Sequence, residues 1–259
     1  MKYRGLMIVA LLALTAFIGA AWAAELTAYQ IAKKSLELEN QPNKTSVYKM
    51  TVINKKGQQR VYKFKAWQKE TKDGSKRLLR FFEPADNKGI GLLSHEKKGG
   101  DLQWLFLPSY KKARQIASAE KSDQFMGSDL YYEDMGSKPV DDFEHALLQK
   151  VVLEGKECYL LESKPKAGVN TSYGKTRTWV DTTTFVAQKM ELYDKKQNLL
   201  KTIYVRDAQL IDGIWTIKKY EAISVNADKA KTLIEMESVD YKTNIPDNYL
   251  TVNFLETDY

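Results

Sequence analysis

The chain has 259 residues, 43% of them hydrophobic, and its 40 Lys and Arg against 33 Asp and Glu give a formal charge of +7. That length supports one large domain with its own core, and no apolar run of spanning length follows the first two dozen residues, which excludes a polytopic helical membrane protein. The single cysteine, Cys158, excludes an intramolecular disulfide, so it reads as a packed thiol in the strand-like run Glu157-Cys158-Tyr159-Leu160-Leu161.

Lys2 and Arg4 are followed by an apolar run from Leu6 to Ala21 and the small-residue pattern Ala21-Trp22-Ala23. That order predicts a secretory signal peptide over residues 1–23, cut after Ala23, with residues 24–259 as a single exported domain. No cysteine near the cleavage point offers a site for lipid attachment. Without Lys2 and Arg4, 38 basic side chains remain against 33 acidic ones. The lysines alternate with apolar residues instead of clustering. No nucleic-acid partner is expected, and contact with an anionic membrane surface is expected to be transient.

Leu26 to Glu39 is predicted helical, with Thr27 as cap and Tyr29, Ile31, Leu36 and Leu38 on its apolar side. Beyond Pro42 the period changes to two. Tyr48, Met50 and Val52 alternate with polar residues, and Arg60 to Ala66 alternates lysines with Val61, Tyr62, Phe64 and Ala66, the pattern of a half-wet strand. Asp73-Gly74 marks a hairpin before Arg77 to Phe82. Ile90 to His95 and Leu102 to Leu107 are the next strands. From about Ser118 to Leu148 the chain is predicted irregular or briefly helical. Strands resume at Val151–Leu153, Tyr159–Ser163, Thr176–Asp181, Val186–Tyr193, Leu200–Asp207, Trp215–Val225 and Lys231–Tyr241.

Ten to twelve strands joined mostly by short turns imply one large antiparallel sheet, mainly β in class, which must curl or be covered. One face is wet. The other is assigned Met50, Phe64, Phe81, Trp104, Phe106, Trp179, Met190, Ile203 and Trp215. With so few helices to cover it, such a curved half-barrel is expected to enclose an apolar cavity.

Catalytic signals are absent from the pattern. His95 and His145 lie fifty residues apart with no ligand-spaced partner, so no metal is assigned. There is no nucleophile elbow, and Gly89-Ile90-Gly91 lacks the third glycine and following helix of a phosphate cradle, so no cofactor is assigned. A hydrolase would have to draw on Asp86, Asp129, Glu133 and Asp134. No enzyme is expected.

The stretch from Phe82 to Asp134 carries unusual detail for loops. It reads Phe82-Glu83-Pro84-Ala85-Asp86-Asn87-Lys88-Gly89, then Trp104-Leu105-Phe106-Leu107-Pro108, then Lys112-Ala113-Arg114-Gln115-Ile116. It closes on Phe125-Met126-Gly127-Ser128-Asp129-Leu130-Tyr131-Tyr132-Glu133-Asp134. In that order the motifs resemble the outer-membrane lipoprotein-sorting protein family, the LolA-like proteins of a larger, transporter-associated branch. The resemblance implies a periplasmic protein with an incomplete antiparallel barrel and a helical lid over a cavity for acyl chains of lipids or lipoproteins. It also implies an inner-membrane exporter of the resistance-nodulation-division type as partner, either passing cargo to or from the protein or simply docked by it as an adaptor. On this reading Met50, Phe64, Phe81, Trp104, Phe106, Trp179, Met190 and Trp215 line the cavity, and Phe125 and Met126 belong to the lid. Arg80 and Arg114 are the candidates for the arginine that locks the lid in smaller carriers.

Overall fold

A computed structural model describes residues 25–39, 41–225 and 230–257. The predicted signal peptide, residues 1–23, lies outside them. No helix among the described residues is long and apolar enough to cross a membrane.

Thirteen strands form one antiparallel sheet. In chain order they are β1 (Asn43–Ile53), β2 (Gln59–Thr71), β3 (Gly74–Glu83), β4 (Gly91–His95), β5 (Leu102–Leu107) and β6 (Lys112–Gln115). After a long crossing come β7 (Phe143–Leu153), β8 (Lys156–Pro165), β9 (Tyr173–Asp181), β10 (Ala187–Asp194), β11 (Leu199–Ile211), β12 (Ile214–Ser224) and β13 (Lys231–Asp240). Their order in the sheet is β6-β5-β4-β3-β2-β1-β13-β12-β11-β10-β9-β8-β7. Two meanders therefore run outward from a central β1–β13 pair, in which Met50 faces Ile234 and Val52 faces Thr232.

The count exceeds the expected ten to twelve because β6 carries no strand signal in the sequence. It is a short edge strand with exposed side chains, and it lacks the alternation that marks the others. β7 begins eight residues earlier than expected: its side chains alternate in exposure from Phe143 to Leu148, but the outer phase carries Ala146 and Leu148, which hides the period in the sequence.

Helix α1 (Ala28–Glu39) begins two residues after the expected Leu26, directly behind the expected cap Thr27. Thr27 Oγ1 accepts the Gln30 N–H at 3.2 Å and Gln30 Oε1 accepts the Thr27 N–H at 2.9 Å, a reciprocal cap. A second helix, α2 (Val252–Thr257), ends the described chain and had no counterpart in the sequence reading. Its six residues are too few to show a helical period.

Directly opposed residues in a ladder share a face. Leu161, Thr178, Met190, Ile203, Ala222, Thr232 and Val52 oppose one another in turn across β8 to β1, so they lie on one face. On that face Ile31 of α1 packs with Tyr159, Leu161 and Val180. The helix also touches β12, on the far side of β9–β11. Four strand spacings span about 19 Å, wider than a helix of about 10–12 Å. The sheet must curl around α1, and this is its concave face.

The opposite face is dressed differently at its two ends. Over β2–β6 it is covered by the C-terminal residues: Ile245, Leu250 and Leu255 bury Leu78, Leu93 and Phe106. Over β8–β13 and β1 it is wet, carrying ion pairs such as Arg177–Glu162 at 3.1 Å, Arg206–Glu221 at 2.7 Å and Lys219–Glu235 at 3.0 Å. These are the alternating lysines and their partners.

Candidate functional site

The crossing from β6 to β7 joins the two outer edges of the sheet. Residues 116–142 make it as a strap of short 3-10 turns laid on the concave face. Ile116, Phe125 and Leu130 are buried there with Met50, Tyr62, Phe64, Leu79, Phe81 and Leu105, while Met126, Tyr132 and Met135 pack at the margin.

The family-like motif Phe125 to Asp134 explains how the strap is held. Met126 and Gly127 have φ of 52° and 70°, and Ser128 N–H donates to Phe125 O at 2.9 Å. Two consecutive left-handed residues make the tight turn that drops Phe125 and Leu130 into the core. Asp129 then anchors to the sheet. Its Oδ2 accepts the Thr232 hydroxyl at 2.8 Å, its Oδ1 accepts the Ser224 N–H at 3.2 Å, and its own N–H donates to Thr232 Oγ1 at 2.9 Å. Glu133 accepts the Thr171 hydroxyl at 2.9 Å and also holds Ser172.

Asp134 ends the motif in a buried network. Lys201 Nζ of β11 lies 2.8 Å from its Oδ2, and Tyr173 OH of β9 donates to it at 2.9 Å. Lys138 is 3.2 Å away, and the Tyr131 N–H donates at 2.9 Å. Burial opposes ionisation of this carboxyl, but Lys138, Lys201 and the Tyr131 N–H outweigh it and hold Asp134 at about 2. Burial, and then the charges of Asp134 and Glu133, push the Tyr173 phenol far up, so it stays a donor. Lys201 is fully buried and its ammonium sits 3.3 Å from the centre of the Tyr131 ring.

Of the residues assigned to the lining, the structure gathers Met50, Phe64 and Phe81 under the strap with both lid residues, Phe125 and Met126. That space is packed: the Phe81 ring lies 5.2 Å from Phe64 and 5.8 Å from Phe125. The lid is a strap of short 3-10 turns without an α-helix, and it fills the place where a cavity is expected. Trp104 and Phe106 lie on the other face, beneath the C-terminal segment. Trp179 opposes Leu160 and Lys189, out of phase with Thr178 and Val180, and Lys189 Nζ stands 4.4 Å from its ring on the wet face. Trp215 opposes Leu210 beyond the register shift at Asp207/Ala208, which carries it to the concave side, outside the packed cluster under the strap. Period-two alternation separates two faces without saying which is concave, so large aromatics from both faces were pooled.

Of the two candidate arginines, Arg114 of β6 ties the strap's first turn to the sheet edge through an exposed ion pair, and Arg80 holds the C-terminal helix. Arg80 donates to the carbonyls of Gly89, at 2.9 Å, and of Phe254 and Leu255, at 3.3 and 2.9 Å, and so clamps α2. Arg114 pairs with Glu120 at 2.8 Å in the strap's first turn. The two histidines are also structural: His95 bonds the Leu250 carbonyl and His145 the Ser163 hydroxyl.

Met190 does lie on the concave face, and it is not alone. With Ile203, Val205 and Tyr220 it forms a half-buried apolar strip beside the strap, continuous with the packed cluster. Ile203 belongs to the apolar face expected from the sequence but not to the expected lining, and Val205, Tyr220, Tyr173 and Lys201 carry no expected role in the sequence pattern. The signal for Lys201 was present, because it falls in the apolar phase of β11 with Ile203 and Val205. A separate recess of about 50 Å³ lies where the strap meets β9, walled by Asp101, Gln103, Lys121, Glu133 and Lys138. It has room for a few waters and none for an acyl chain.

A LolA superfamily protein from Nitrosomonas europaea superposes with a TM-score of 0.74 at 18% identity, over 89% of this chain and 100% of that one. A family model described as "uncharacterized protein" matches residues 73–257, and the chain belongs to this LolA-like family. It is similar to a DUF1329 family protein from Desulfovibrio piger, with 29% identity and a TM-score of 0.83 over 88% of this chain and 97% of that one. An outer membrane lipoprotein-sorting protein domain from Vibrio parahaemolyticus gives 27%, 0.82, 88% and 98% for the same measures. No curated protein matches at a significant level.

Proposed function

We infer that the protein is a periplasmic carrier that holds the acyl chains of a lipid or lipoprotein on the concave face of its sheet and exchanges them with a membrane partner. The observation that carries this reading is the half-covered strip of Met190, Ile203, Val205 and Tyr220. It continues directly into the cluster that Phe125, Leu130 and Met126 of the strap now occupy. The similarity to an outer membrane lipoprotein-sorting protein domain supports the choice of cargo.

Each buried methylene of a chain contributes about 0.8 kcal/mol, so a long chain laid on this strip binds without a specific polar contact. Deeper burial, against Met50, Phe64 and Phe81, requires the strap to lift, and the chain would then replace the strap's own apolar groups. Met190 adds an unbranched, adaptable surface. Release from such a site needs an acceptor or an energised partner. An inner-membrane exporter of the resistance-nodulation-division type fits that role.

The test is native mass spectrometry, with organic extraction, of the mature protein purified from a bacterial periplasm. A reproducible one-to-one lipid adduct is expected. A clean apo mass, together with no uptake of added fatty acid or phospholipid, overturns the carrier reading.

A further inference from the structure

We propose that the cargo is an anionic amphiphile, and that its headgroup takes the place of the Asp134 carboxylate between Lys201 and Tyr173. The assignment rests on the carrier reading and adds the headgroup class to it.

Lys201 is a formal charge set in the floor of an otherwise apolar face. It lies in phase with Ile203 and Val205 on β11, opposite Leu192 on one side and Ser224 on the other. It is 0% exposed. A lysine there costs much of its hydration and is tolerated only when an anion meets it. In this structure the anion comes from the strap. Asp134 receives Lys201 at 2.8 Å and Tyr173 at 2.9 and 3.1 Å, two donors from two different strands converging on one carboxylate.

The strap as a whole has the makeup of an amphiphile. Phe125, Met126 and Leu130 sit on apolar floor, and four to nine residues later a carboxylate sits on the buried cation. Whatever displaces the strap must satisfy the same two halves. A neutral chain would fill the apolar half and leave Lys201 buried and unpaired. A chain ending in a carboxylate or a phosphate fills both. The strip of Ile203, Val205, Met190 and Tyr220 leads away from Lys201, so a headgroup at the lysine directs its chain along the strip. Lys138, Glu133 and Tyr131, the other groups near Lys201, all belong to the strap and leave with it. Tyr173 remains with the sheet as the second donor.

The experiment measures equilibrium binding of palmitate, methyl palmitate and palmitoyl lysophosphatidate to the full mature chain at pH 8. The expected result is that one or both anionic ligands bind about 10-fold or more tightly than the ester, the size of a charge-assisted hydrogen bond to a buried group. The tighter of the two anions distinguishes a carboxylate from a phosphate headgroup. Lys201→Met should bring the anions down to the ester's affinity and leave the ester unchanged. Asp134→Asn, which weakens the internal competitor, should tighten the anions several-fold and not the ester. This second variant and the wild-type comparison decide the matter if Lys201→Met does not fold. Equal binding of acid and ester by the wild type overturns the headgroup assignment and leaves the carrier reading standing. Failure of all three ligands to bind removes both.

Discussion

Asp101 shows how far one side chain can depart from its ordinary chemistry in this fold. It is 7% exposed, accepts the Ser137 N–H through Oδ2, and has no hydrogen-bond partner at Oδ1 among the described residues. Burial, with the Glu96 charge adding to it, raises its carboxyl from 3.8 to about 6, against the pull of the Ser137 N–H and Lys121. The folded state therefore holds a proton that the unfolded chain releases near 3.8. Stability from this group is full below that value and is lost as pH rises through 6, by about 3 kcal/mol in all. Asp101→Asn should remove that loss, so that the urea midpoint at pH 7 rises relative to the midpoint at pH 4. An unchanged difference would show that the carboxyl titrates normally.

Asp129 makes the opposite case, a charge whose partners are all in place. Asp129→Ala leaves the Thr232 hydroxyl and the Ser224 N–H buried without their acceptor, and should cost about 3 kcal/mol. Asp86→Ala breaks an ion pair with Arg60 whose side chains are 51% and 67% exposed, and should be nearly silent. Denaturant unfolding of the two variants checks the contrast. Both aspartates belong to motifs legible in the sequence, but only the tertiary contacts tell an anchor from a surface pair.

At the scale of elements, the strap and the C-terminal helix do the same job on opposite faces. Each is short, has little helical propensity to draw on, and is held by side chains of the sheet. For α2 the fit depends on Gly91. A Cβ there would lie 2.6 Å from Leu255 Cδ1 and 3.1 Å from Arg80 Nη1. Gly91→Ala should push α2 off the sheet, cost about 1–3 kcal/mol, and raise hydrogen exchange in residues 252–257 before it does so in β3 or β4. Uniform exchange across all three would mean that α2 is not a separable unit. Strands with a wet face and a packed face were legible, because period two is a local property. The edge strand β6, the first half of β7 and α2 were not. β6 is too exposed to alternate, β7 sets the apolar Ala146 and Leu148 on its outer phase, and α2 is too short to show any period.

At the scale of the molecule, two meanders meet at β1–β13 and one strap ties their outer edges, so the concave face has a filled end and a half-open end. Aspartate substitutions should separate them. Met50→Asp places a charge at a fully buried site beneath the strap and should abolish folding. Val205→Asp, on the half-buried strip, should leave a folded protein with lost uptake of a fluorescent fatty acid. Circular dichroism beside the uptake assay distinguishes the two. If Val205→Asp also unfolds, the strip is core and not a binding surface.

The sequence by itself determined that the chain is a β meander with lysines on a wet face, and that Phe125 to Asp134 is a specialised crossing. Alternation and turn chemistry act between near neighbours, so they are written locally. Tertiary structure alone decided which face is concave, that Trp104, Phe106 and Trp179 lie on the other one, and that Lys201 is the cation under the strap. Those outcomes depend on the register of strands far apart in the chain and on the direction in which thirteen of them curl. No local window contains either.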